Sequence, residues 1–136
     1  MTSILIIDDD NDFRKSLRHV FECEDYRVYE ARNGKEGMET YRLINTDIII
    51  TDIFMPDKDG LEIIQEIKKE FPEALIIAMS GFGKGGEDYL KIARYLGASD
   101  SIRKPFDPED IVRIVKLALE GNRTEEIFQQ GADTAI

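Results

Sequence analysis

A single α/β domain built on a parallel sheet is the fold class this sequence predicts, and three observations predict it. Short apolar runs alternate five times with segments of helical periodicity, and regular alternation of that kind implies a parallel sheet with helices on both faces. The connections between them are short, and right-handed crossovers of that length wind helices onto both sides of one sheet. The chain has 136 residues, the size of one domain and enough to bury one core without disulfides or a structural metal.

The elements follow in order. Residues 3–8 (SILIID) form a short apolar run ending in acids, which reads as a buried strand. Over residues 11–24, Phe13, Leu17, Val20 and Phe21 fall at helical spacing and share one face, with Asp10 placed to cap the start. Residues 26–31 (YRVYEA) read as the second strand. Asn33 with Glu36 has the spacing of a capping box, starting a helix that runs to about Leu43. Residues 47–52 (DIIITD) are a third strand ending in an acid. Asp59 with Glu62 repeats the capping pattern, Leu61, Ile64 and Ile67 supply the buried face of that helix, and Phe71-Pro72 ends it. Residues 74–79 (ALIIAM) form the fourth strand, followed by a glycine-rich loop and a helix from about Glu87 to Leu96 that Gly97 stops. Residues 99–103 form the fifth strand. Asp107-Pro108 then starts a last helix, with Ile111, Ile114, Val115 and Leu119 facing inward. The pattern is lost after residue 120, so the domain is assigned to residues 1–120 and residues 121–136 to a disordered tail or linker remnant.

Composition narrows the function classes. Apolar residues make up 42% and charged residues 34%, values of a globular chain rather than a disordered one. The formal net charge of −10 disfavours direct contact with nucleic acid and with anionic membrane surfaces. No apolar run approaches the ~20 residues needed to cross a bilayer. The start, MTSILIIDDD, lacks the basic residues and long apolar stretch of a signal peptide, so the cytoplasm is the expected location. Cys23 is the single cysteine and cannot form an internal bridge; it is expected to be a buried or half-buried thiol.

The chemistry gathers at strand ends. In a parallel sheet of this kind, ligands bind beyond the carboxyl ends of the strands. The first strand ends at Asp8-Asp9, the third at Asp52, the fourth at Ser80 and the fifth at Lys104, so all of them fall on one rim. Each residue alone has a plainer reading: a strand-end aspartate is usually a cap or a solvated loop residue, a lone lysine a surface charge, a lone serine a turn. Four strand ends together make those readings poor. Crowded carboxylates take up a proton or hold a divalent cation, and hard oxygen ligands suit Mg²⁺. An aspartate beside such a cation can act as a nucleophile on phosphorus, with Lys104 adding positive charge and Ser80 a hydrogen bond.

The ordered set ILIIDDD, DIIITDIFMPDKDG, AMSG and IRKPF resembles the bacterial response-regulator receiver domain, a chemotaxis-regulator-like module, over about residues 3–120. The resemblance implies a five-stranded, doubly wound, flavodoxin-like sheet of order 2-1-3-4-5. It implies that Asp52 accepts a phosphoryl group from a sensor histidine kinase or phosphotransfer protein, as a signalling domain rather than an enzyme. Asp9 would be a direct ligand of Mg²⁺ (or Mn²⁺) and Asp8 would act partly through water, with Asp52 and the backbone carbonyl of Phe54 completing the protein ligands. Lys104 would pair with the phosphoryl group, Ser80 would be the switch hydroxyl, and the Lys104-Pro105 bond would be cis. An output domain or protein would read the face formed by the fourth helix, fifth strand and fifth helix, and the chain would be a monomer or weak homodimer. Two departures stand out. Ser101 replaces the aromatic residue many members carry three positions before the lysine, and the segment after Ser80 is rich in glycine. Phe54, two positions after the acceptor, is expected to shield an acyl phosphate from water and slow its hydrolysis.

Three other readings compete. Gly81, Gly83 and Gly86 fit the G-x-G-x-x-G form of a dinucleotide-binding turn, but in the fourth βα unit and with Arg103 and Lys104 where an acid belongs; a plain glycine loop is the simpler reading. A phosphatase of the haloacid-dehalogenase type needs a second acid two positions after the nucleophile, where Phe54 stands. An interaction module that is never phosphorylated would not need the full acid, serine and lysine set. His19 lies between core positions of the first helix and reads as a surface or boundary residue.

Overall fold

The three central strands are isoleucine-rich runs, and β-branched residues pack well on a pleated surface covered on both faces. A computed structural model describes residues 1–55, 60–81 and 86–134, the side chains of 86–88 and 122–134 excepted. Strands β1 (Ser3–Ile7), β2 (Arg27–Ala31), β3 (Ile48–Asp52), β4 (Ile76–Ser80) and β5 (Asp100–Arg103) pair in parallel in the order β2-β1-β3-β4-β5. Helices α1 (Asn11–Cys23), α2 (Gly34–Ile44), α3 (Gly60–Glu70), α4 (Gly86–Tyr95) and α5 (Pro108–Thr134) alternate with them. This is the doubly wound sheet, with the strand order, that the sequence and its resemblance lead one to expect.

Side-chain parity divides the core. Leu5, Ile7, Ile49, Ile76 and Ala78 join Met38, Tyr41, Ile63, Ile64, Ile67, Leu90 and Ala93 under α2, α3 and α4. Ile4, Ile6, Ile48, Ile50, Ile77, Met79 and Ile102 join Leu17, Phe21, Ile111, Val112 and Val115 under α1 and α5. Successive residues of one strand thus serve opposite layers. Each fully buried isoleucine contributes about 1.5–3 kcal/mol through removal of apolar surface from water.

Local signals fix the helix ends. Asp10 caps α1, its side chain accepting from the Phe13 N–H at 3.1 Å. Asn33 caps α2, accepting from the Glu36 N–H at 2.9 Å. The return half of that capping box is not made: the Glu36 carboxylate pairs with Arg32 Nε at 3.2 Å, because a guanidinium outcompetes a neutral amide for it. Asn45 ends α2 in the left-handed region. Gly97 stops α4 at φ +121°, where only glycine is free of strain, and the Ala98 N–H returns to the Ala93 carbonyl.

Some expectations are corrected. Cys23 is exposed, because α1 turns Arg14, Leu17 and Phe21 inward and leaves Cys23 on its outer side with His19, the two 3.7 Å apart. The backbone of α5 continues as helix to Thr134 rather than ending near residue 120. The added stretch contains no proline and many helix formers, and a glycine such as Gly121 weakens a helix without terminating it. The capping role expected of Asp59 and the position of Gly83 lie outside the described residues. Among the described residues, no helix is long and apolar enough to cross a membrane.

Candidate functional site

Register builds the site. Ile7 of β1 pairs with Thr51 of β3, so the next residues on the two strands, Asp8 and Asp52, come side by side. Parity sends both toward the α1/α5 layer, continuing the rows of Ile4, Ile6 and of Ile48, Ile50. Lys104 follows Ile102 with the same parity and reaches across β4 to meet them. Its Nζ lies 2.8 Å from Asp8 Oδ2 and 3.7 Å from Asp52 Oδ2. The Lys104-Pro105 bond is cis.

Asp8 and Asp52 are buried and Asp9 is exposed, and one carboxylate oxygen from each lies within 4.8 Å of the others. Three hard anionic oxygens in that space form a donor set for a small divalent cation. Burial of Asp52, against a smaller opposing effect of Lys104 and with repulsion from Asp8, pushes its pKa up to about 6. Burial thus disfavours the ionised form of this carboxyl. The Phe54 N–H donates to Asp52 Oδ1 at 3.4 Å, and the Asp10 N–H donates to Asp8 Oδ1 at 2.9 Å.

Ser80 is fully buried at the end of β4 and donates its hydroxyl to the Gly81 carbonyl at 3.3 Å. The Ile53 N–H donates to the Met79 carbonyl and the Lys104 N–H to the Ser80 carbonyl, tying β3, β4 and β5 together at this rim. Ser80 has the opposite parity from Asp8 and Asp52, in line with Ile76 and Ala78. Ser101 is half-buried on β5, where its N–H takes the Asp100 carboxylate at 2.8 Å. Of the dinucleotide-type glycines, Gly81 and Gly86 are described and Gly83 is not.

Arg14, Glu30 and Phe13 were not singled out from sequence as part of the site, whereas Phe54 was. Arg14, on the buried side of α1, donates to the Asp8 carbonyl at 2.7 Å, to Glu30 Oε1 at 2.8 Å and to Asn11 Oδ1 at 2.7 Å. Glu30 also receives Arg18 at 2.8 Å. Its desolvation is outweighed by these hydrogen bonds from Arg18 and Arg14, which hold its carboxyl below the ordinary range. The detectable signal was an arginine three residues before Leu17 on the apolar stripe, since a buried guanidinium demands acceptors. Phe13 lays its ring under Lys104, 3.9 Å from Nζ to centroid. Phe54 keeps 45% exposure, with its ring edge-on to Tyr89 of α4 at 4.9 Å.

A family model described as the response regulator receiver domain matches residues 4–116. The chemotaxis protein CheY of Thermotoga maritima is 38% identical over 110 residues, covering 80% of this chain and 90% of that protein. The transcriptional regulatory protein ResD of Bacillus subtilis is 31% identical over 134 residues, covering 98% of this chain and 54% of that protein. The chain thus spans about half the length of ResD and nearly all of CheY. A solved receiver domain protein from Clostridium thermocellum superposes with a TM-score of 0.85 at 29% identity, covering 93% of this chain and 99% of that one.

Proposed function

The chain belongs to the response regulator receiver family, and from that premise we propose that Asp52 accepts a phosphoryl group from a histidine kinase or phosphotransfer protein and thereby switches a partner-binding surface. The observation that carries this reading is the buried Asp52 carboxylate set between two further aspartates and the Lys104 ammonium. Asp8, Asp9, Asp52 and the Phe54 carbonyl would hold Mg²⁺, or Mn²⁺ in its place. Bound there, the cation would offset carboxylate repulsion and the charge of the incoming phosphoryl oxygens.

One Asp52 oxygen attacks phosphorus in line. The bond from phosphorus to its donor breaks, and its electron pair stays on the leaving group, an imidazole nitrogen for phosphohistidine or an acetate oxygen for acetyl phosphate. The product is an acyl phosphate on Asp52. Lys104 exchanges part of its contact with Asp8 for a phosphoryl oxygen, and Ser80 turns its hydroxyl from the Gly81 carbonyl to donate to another. Phe54 limits access of water to the adduct. The output surface is the α4–β5–α5 face, where α4 exposes Ile92 and Tyr95.

Incubation with acetyl phosphate and Mg²⁺, followed by intact mass measurement, tests the reading. The protein should gain one labile phosphoryl group, and neither Asp52→Ala nor the metal-free protein should. Persistence of the adduct in Asp52→Ala sinks the assignment.

A further inference from the structure

An ammonium group has three N–H donors and no acceptor. The structure gives those of Lys104 three directions: Asp8 Oδ2 at 2.8 Å, Asp52 Oδ2 at 3.7 Å and the face of Phe13 at 3.9 Å. The Phe13 ring also meets Phe106 edge-on at 5.9 Å and 80°, so the segment just after the lysine packs against α1 through the same ring. We propose that Phe13 is a positioning residue for phosphoryl transfer at Asp52, its ring face holding the Lys104 ammonium against the acceptor by a cation–π contact.

The proposal rests on Asp52 being the acceptor. Its physical content is that the ring attracts the cation without adding negative charge. A third carboxylate at that place would bind Lys104 more tightly, but it would also repel the phosphoryl group and hold the lysine back from it. A neutral ring steadies the long, flexible lysine stem and leaves its charge available as negative charge arrives. Phe13 is half-buried beside the α1/α5 core, so its plainer role is apolar packing, and leucine would serve that role too.

Phosphorylation by acetyl phosphate at saturating Mg²⁺ separates the two roles. Phe13→Leu is expected to slow acceptance at Asp52 by about three- to tenfold, while Phe13→Tyr, which keeps the ring face, stays within about twofold of wild type. In a Lys104→Ala background the Phe13→Leu change should have little further effect, because the contact it removes is already gone. In the unphosphorylated, metal-free protein, the Lys104 Cε protons should show an upfield ring-current shift in wild type and Phe13→Tyr that disappears in Phe13→Leu. A Phe13→Leu protein that keeps the wild-type rate, an equal loss in the Lys104→Ala background, or Cε protons without the shift overturns the positioning role. If wild type gains no phosphoryl group, the acceptor reading falls and the positioning role falls with it; a phosphorylated wild type with a full-speed Phe13→Leu overturns the positioning role alone.

Discussion

Gly60→Ala should unfold the protein more easily and misplace the acceptor, although alanine is the better helix former. Gly60 opens α3 and donates its N–H to the Ile53 carbonyl at 2.7 Å, so the helix starts hard against the end of β3. A Cβ at this position would stand 2.6 Å from Ile53 Cα and 2.9 Å from the Asp52 carbonyl carbon, with the Asp52 carbonyl oxygen nearer still. The 2.6 Å contact is short of ordinary van der Waals separation by about 0.8 Å, and both partners are backbone, so no rotamer change relieves it. Overpacking of this kind costs about 3–4 kcal/mol where rigid elements must part, against a helix-propensity gain of about 1 kcal/mol, leaving a net loss of about 2–3 kcal/mol. For a domain of this size that is a fall in Tm of about 10 °C. The displaced strand end carries Asp52, so acceptance from acetyl phosphate should drop by about 10- to 100-fold. Gly121→Ala is the control, because its Cβ meets nothing within 4 Å and the same change there should stabilise slightly. Thermal melts of the two variants, with phosphorylation rates, decide the matter. A Gly60→Ala protein that melts at or above wild type and is phosphorylated normally refutes the steric argument.

Asp52→Asn should abolish the phosphoryl gain and also stabilise the metal-free protein. The folded pKa of about 6 lies above the ordinary aspartate value of 3.8, so the ionised carboxylate opposes folding above pH 6; the penalty is on the order of 1–3 kcal/mol. That penalty shrinks as pH falls from 6 and vanishes below 3.8, so denaturant titrations of the two proteins should diverge at pH 7 and converge in acid. Arg14→Ala removes the donor to the Asp8 carbonyl and one partner of Glu30, and should cost about 2–4 kcal/mol in urea titration; Arg14→Lys, with a single ammonium in place of the fork, should recover only part of it. Phe54→Asn should speed loss of the phosphoryl group by about three- to tenfold, equivalent to about 0.7–1.4 kcal/mol of barrier, as followed by the decay of the phosphorylated mass. An unchanged lifetime in that variant would remove Phe54 from any shielding role.

Local pattern alone determined much of this protein. The alternation of Ile-rich runs with amphipathic helices specifies the parallel sheet, and Asp10, Asn33 and Gly97 punctuate it because capping and left-handed geometry are properties of a few adjacent residues. The gathering of Asp8, Asp9, Asp52, Ser80 and Lys104 at one rim also follows from strand polarity. Resemblance supplied the strand order, which periodicity does not contain. Tertiary structure decided the rest. The β1–β3 register sets Asp8 beside Asp52, and the reach of Lys104 over β4 joins them. Packing of α1 against the sheet turns Arg14 onto the Asp8 carbonyl, slides Phe13 under Lys104 and leaves Cys23 outside. Periodicity reports which face of an element is covered. What covers it is settled only when segments distant in sequence compete for the same apolar surface and the same buried acceptors.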